Sequence, residues 1–250
     1  MPMKLSLAAL ALAAAMTSGL AAPQTPAAPT LDTVDQVLDR YVKAVGGAAL
    51  QKVTSLTARG TVEITELSMK GSVEIHQKAP NKTLQILTLD QISVQREGFD
   101  GTIGWAEDPQ NGVREKSGVE LAEARRAAMF PRELRLKEQY PKMAVTGRET
   151  VGARDAFIVT ATPAEGEPLR MYFDVQSGLL VRQIATRHGP AGPTQVDVAF
   201  EDYRAVDGVQ RAHVIRQVAP QVTAVIRISE IRHNVAIDDA IFRKPGSPLR

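Results

Sequence analysis

LDTVDQVLDRYVKAVGGAALQKVTSLTARGTVEI, residues 31–64, contains the change of period that decides the fold. Val34, Val37, Leu38, Tyr41, Val42 and Val45 recur at helical spacing and predict one apolar stripe on a helix. Asp32 or Thr33 can cap its start, and Gly46-Gly47 end it. Ala48–Lys52 fits a further short turn of helix. The period then falls to two. Leu56, Ala58, Gly60, Val62 and Ile64 share one face of a strand, and Thr57, Arg59, Thr61 and Glu63 share the other.

Working outward, the same alternation returns along most of the chain. Met69–Lys78, Leu84–Leu89, Ile92–Gln95 and Thr102–Trp105 read as strands, with turns at Pro80-Asn81 and Asp100-Gly101. Gly118–Met129 is instead rich in helix formers; Phe130-Pro131 breaks it, and Glu133–Gln139 fits a second short helix. Strands resume at Phe157–Ala161, Leu169–Phe173, Leu179–Thr186, Val196–Phe200, His213–Val218 and Val222–Ser229. That makes about 11 strands joined mostly by short turns. A sheet that wide curls or closes. The expected fold is mainly β: a half-open antiparallel barrel with an N-terminal helix and a helical insertion at residues 118–140 on its concave side. Val225 beside Ile226, and Ile86 beside Leu87, suit a sheet packed outside as well as inside.

The 250 residues are 44% hydrophobic and 23% charged, which is ordinary globular composition. Aromatics are only 4%, so the core rests on aliphatic side chains. A net charge of +2 gives no electrostatic case for a nucleic-acid partner. Cysteine is absent, which excludes disulfides, thiolate catalysis, Cys-ligated metal and a lipidated anchor cysteine.

Residues 1–22 read as a secretory signal peptide. Lys4 supplies the positive start, LSLAALALAAAM (5–16) the apolar run, and cleavage falls near Ala21 or Ala22. The run is shorter than the roughly 20 residues a membrane helix needs. Residues 23–32 form a Pro-rich linker, and 33–245 a single domain in the periplasm, not membrane-spanning once the leader is cleaved.

No nucleophile elbow, phosphate loop or zinc-helix motif occurs. His76, His188, His213 and His233 are far apart in sequence; only His76 and His213 offer a cross-strand meeting. Asp238-Asp239 and Glu201-Asp202 read as solvated acids. Trp105 reads as a packing residue over a ligand contact, Arg125-Arg126 as a solvated helix face over one meeting an anionic headgroup, and Met129-Phe130 as core packing over a lid. These readings assign no catalytic residue, no cofactor and no metal, and they predict a protein that is not an enzyme.

Several stretches point further: residues 31–64, APNK (79–82), FDGTIGW (99–105), YFDVQSGLLVRQ (172–183), FEDYRAVDGVQRAHVIR (200–216) and NVAIDDAIFRKP (234–245). Together they resemble the outer-membrane lipoprotein-sorting proteins with a LolA/LolB-like fold. The match is nearest to an uncharacterised branch whose domain also occurs fused to photosynthetic cytochrome subunits. The resemblance implies a half-open barrel plugged by helices, whose concave cavity carries a lipid, a lipoprotein acyl chain or another apolar ligand. It assigns no ligand-binding residue. The alternative is a non-catalytic interaction module with a filled core, supporting an envelope protein assembly through a protein partner.

Overall fold

The structure, a computed structural model, describes residues 32–90 and 93–246. The leader assigned to 1–22, and all of the 23–32 linker except Asp32, lie outside the described residues.

The first helix, α1 (Val34–Val45), begins at Thr33. The Thr33 hydroxyl accepts from the Gln36 N–H, and the Gln36 side chain accepts from the Thr33 N–H, a reciprocal capping box. Val37, Leu38, Tyr41 and Val45 are buried along the stripe expected from the sequence. A 3-10 turn follows at Leu50–Lys52.

Among the described residues, 13 antiparallel strands make one sheet. They are β1 (Ser55–Ile64), β2 (Met69–Lys78), β3 (Lys82–Leu89), β4 (Ser93–Phe99), β5 (Gly104–Asp108) and β6 (Gly112–Glu115). After the helical insertion come β7 (Lys142–Val151), β8 (Arg154–Thr162), β9 (Leu169–Asp174) and β10 (Leu180–Gly189). The last are β11 (Gly192–Val206), β12 (Val209–Ala219) and β13 (Val222–His233). The order across the sheet is 6-5-4-3-2-1-13-12-11-10-9-8-7. First and last strands therefore pair, with Val62 opposite Ile226, and the free edges are β6 and β7. Gly60 lies at a register shift in that pairing, where a Cβ would sit 2.2 Å from the Arg227 carbonyl oxygen.

The insertion joins the two edges. It consists of α2 (Gly118–Ala128), a 3-10 turn (Arg132–Arg135) and the short α3 (Leu136–Gln139). The expected architecture holds, with two strands more than the sequence reading counted. Both extra strands, β6 and β7, are the edges.

The helices and the inward face of the sheet share the main core. Val37, Leu38, Tyr41 and Val45 of α1 join Phe130, Leu136 and Tyr140 of the insertion. They meet inward residues of β1, β2, β8, β9 and β13, among them Val62, Val73, Val159, Phe173 and Ile226. Tyr41 packs edge-on to Phe173, ring centroids 5.1 Å apart.

The outward face is packed too. Leu84, Ile86 and Trp105 form a second cluster with Ile237 and Phe242 of the C-terminal segment. The Trp105 indole N–H donates to the Phe242 carbonyl at 2.8 Å. Its ring lies flat over Gly98, where a Cβ would stand 2.4 Å from it, so only glycine fits there. Asp239 clamps the same segment to Lys78 at 2.8 Å and Lys82 at 2.5 Å.

Two outcomes check this packing. Phe173 is 1% exposed, and Phe173→Ala should lower the unfolding free energy in a denaturant titration by about 3–5 kcal/mol. Leu67, 62% exposed, should change it by less than about 0.5 kcal/mol as Leu67→Ala. Hydrogen bonds from Lys78 and Lys82 hold the Asp239 carboxyl down from 3.8 to about 2. A depressed carboxyl stabilises above its unfolded value and loses that contribution as pH falls through the folded value. Fluorescence of the single tryptophan should therefore shift toward the solvent-exposed form as pH falls from about 4 to 2. Asp239→Asn should bring that shift on already at neutral pH; an unchanged spectrum in the variant would contradict the clamp.

Candidate functional site

The concave face has two unlike halves. One is filled by α1 and residues 130–140, whose apolar side chains interdigitate with the sheet. Glu133 pins this segment to β12 through Arg211 at 2.6 Å, with side chains 10% and 12% exposed. His233 lies beside the pair, its Nε2 accepting from Arg211 Nε at 3.3 Å. Burial, then the Arg211 charge, holds the His233 imidazole below its ordinary range.

The other half lies under α2 and stays open. Leu121 and Ala124 seat the helix on Gly104 and Phe99; a Cβ on Gly104 would come within 2.9 Å of Leu121. Glu123 ties the far side of α2 to β10, accepting from the His188 backbone N–H at 3.2 Å and meeting its Nδ1 at 2.7 Å. Arg126 donates to the Glu165 carbonyl at 2.7 Å. Between α2 and the sheet runs a cleft of about 540 Å³, within the usual range of small-molecule sites.

Its floor carries Ile75, Phe99, Ala106 and, from α2, Ala124 and Ala127. Its sheet wall carries the amides Gln77, Gln85, Gln95 and Gln217. Strand pairing staggers three of them along a diagonal of the inward face, with Gln77 opposite Thr83, Gln85 opposite Ile75 and Gln95 opposite Leu87, and Gln217 joins from β12. The rim is charged and largely paired within itself. Arg96 meets Glu107 at 2.9 Å, Arg114 meets Glu120 in a two-bond fork at 2.7 Å, and Lys116 meets Glu97 at 2.7 Å. Asp108 accepts from the Asn111 side chain and from the backbone of Gln110 and Asn111, which lowers its carboxyl. A smaller cleft of about 40 Å³ opens on the other side of α2 and shares Glu123, Ala127, Arg132 and Arg187 with the first.

The residues singled out in the sequence are scattered. His76 lies on the outward face near Arg59 and Glu230, whereas His213 points inward beside Ile215; they do not converge. Trp105 is a packing residue held by the C-terminal segment. Phe130 belongs to the main core, and Arg125 is exposed. Asp238 caps a 3-10 turn, Asp239 clamps the C-terminal segment, and Asp202 pairs with Arg204.

His188 does meet two carboxylates at the rim. Its Nδ1 faces Glu123, and its Nε2 stands 3.8 Å from Glu167. With both nitrogens turned to acids, the ring acts as a tether between α2 and β10. No group of three or more His, Asp or Glu among the described residues is placed to hold a metal ion, and no helix among them is long and apolar enough to cross a membrane.

No family model and no curated protein matches the chain. Solved structures do. A LolA superfamily protein from Nitrosomonas europaea superposes with a TM-score of 0.59 at 10% identity, covering 86% of this chain and 99% of its own. A DUF1329 family protein from Desulfovibrio piger gives 0.58 at 16% identity, covering 85% and 98%. A putative outer membrane lipoprotein-sorting protein domain from Vibrio parahaemolyticus gives 0.57 at 12% identity, covering 83% and 96%. At these identities the likeness is one of fold. The resemblance read from residues 31–64 and the later motifs is thus borne out at that level: the chain has the LolA-like half-open barrel fold.

Proposed function

We propose that this is an exported, non-catalytic binding protein that holds an amphipathic molecule, such as a lipid or an acyl chain with its polar head, in the cleft beneath α2. The observation that carries the reading is the lining of that cleft: a narrow apolar strip at Ile75, Ala124 and Ala127, backed by the buried Phe99 and Ala106, beneath a wall of amides and paired charges. Each exposed CH₂ costs an acyl chain about 0.8 kcal/mol in water, so a floor of this kind rewards a chain. The amides and charges reward a head. A wholly aliphatic ligand fits less well, because the aliphatic surface of the concave side is already covered by α1 and residues 130–140. The leader-like residues 1–22, the absence of cysteine and the LolA-like fold support a working place in the bacterial periplasm.

The row of Gln77, Gln85, Gln95 and Gln217 favours one second reading. Amides pair equally well with the N–H and C=O groups of an extended peptide, which suits a module docking on an envelope protein.

Native mass spectrometry of protein purified from the periplasm separates the two. A bound amphiphile at one per chain is the expected result. Gln95→Trp, which fills the cleft from β4, should abolish that adduct while leaving the melting temperature within a few degrees. A single stoichiometric protein partner and no small adduct would favour the module instead. The mature N-terminus should begin after Ala21 or Ala22.

A further inference from the structure

We infer that the head of the bound molecule is an anion, a carboxylate or phosphate, and that Arg132 and Arg187 receive it. This rests on the cleft being the ligand site and adds the charge of the ligand to it.

Counting partners around the cleft isolates these two residues. Arg96, Arg114 and Lys116 are neutralised by Glu107, Glu120 and Glu97. Glu123 is taken up by hydrogen bonds to the His188 backbone N–H and ring, and Asp108 by the N–H groups of its own turn. Arg132 and Arg187 have neither an ion pair nor a side-chain hydrogen bond among the described residues. Both line the large cleft and the small one, so they stand at the boundary where the two meet.

Their positions are built. Arg132 opens the 3-10 turn after Pro131, and its carbonyl accepts from the buried Gln139 side chain at 2.8 Å. The next residue, Glu133, is locked to Arg211. Arg187 follows Gln183 and Ala185 on the inward face of β10, one residue before the His188 tether. Arg132 is half-buried, and a half-buried cation without a partner is a standing cost that an anion removes. The guanidinium fork matches carboxylate and phosphate oxygens in two parallel bonds, which an amide row cannot do. A head bound here leaves its tail the apolar strip at Ala124, Ala127 and Ile75.

Displacement of a fluorescent fatty-acid probe by four ligands with the same dodecyl chain tests the inference: dodecanoate, dodecyl phosphate, dodecyl maltoside and dodecyl trimethylammonium. Inorganic phosphate serves as the head alone. The anionic chains should bind at least tenfold tighter than the neutral and cationic ones. Arg132→Gln and Arg187→Gln should each lose roughly tenfold for the anions and leave the maltoside unchanged. Arg187 is exposed, so its variant keeps the test valid should Arg132→Gln destabilise the fold. Equal binding of all four chains would overturn the anion inference and leave the cleft reading intact. Failure of every chain would overturn the cleft reading. Inorganic phosphate binding as tightly as dodecyl phosphate would keep the anion site, assign it to a free anion and remove the lipid.

Discussion

The pairing of β1 with β13 is the constraint on which the rest of the structure depends. Joining the ends of the chain across the middle of the sheet, with Leu56 opposite His233 and Ile64 opposite Ala224, leaves only the middle of the sequence to supply the free edges. Those edges, β6 and β7, are consecutive strands, so the segment between them has to cross the opening. It does so as helix and 3-10 turn, which satisfy their own backbone groups without a sheet neighbour. Closing a loop of this length costs chain entropy. The cost is offset by side-chain rows such as Val62–Ile226 and Ala58–Ile231, which pack into the main core.

From that opening follows the division of the concave face. The insertion leaves β6 as α2, passes over β4 and β5 to reach β10, and turns back through Phe130 and Glu133 to the core under α1. Where it turns back, it fills. Where α2 passes over the sheet, the small side chains Ala124 and Ala127 and the inward amides leave room. Amides and paired charges keep such a space wet and selective, whereas an aliphatic lining would invite collapse. The same polypeptide thus spends its aliphatic residues on stability and its glutamines on the cleft.

Much of this was legible in the residues. The helical stripe of α1, the alternation of β1 and the breaks at Gly46-Gly47 and Phe130-Pro131 all speak through local period, which needs no tertiary knowledge. The two strands without a clear sequence signal are the edges. β7 is solvated along most of its length, and a register shift between Val145 and Gly147 spoils its alternation. β6 has only four residues, mostly exposed. Strands that bury little carry little hydrophobic signal. The amides were visible residue by residue, but bringing them together requires the register of β2, β3 and β4 and the curvature that carries β12 to the same cleft. Charge had a similar limit: Arg125-Arg126 stands out as a pair in the sequence, yet Arg125 is exposed and Arg126 is engaged by the Glu165 carbonyl. Arg132, beside a proline break and an acid, gave no hint that its neighbour's charge goes to Arg211 and leaves its own unspent.

On the proposed reading, the ligand-accepting space lies under α2 and not under α1. A crystal of the protein soaked with a terminally brominated fatty acid locates that space directly by anomalous scattering. A bromine peak in the cleft, near Ala124 and Ala127, is the expected result. A peak among Leu50, Tyr41 and Phe173 beneath α1, or no peak within the concave face at all, would contradict it.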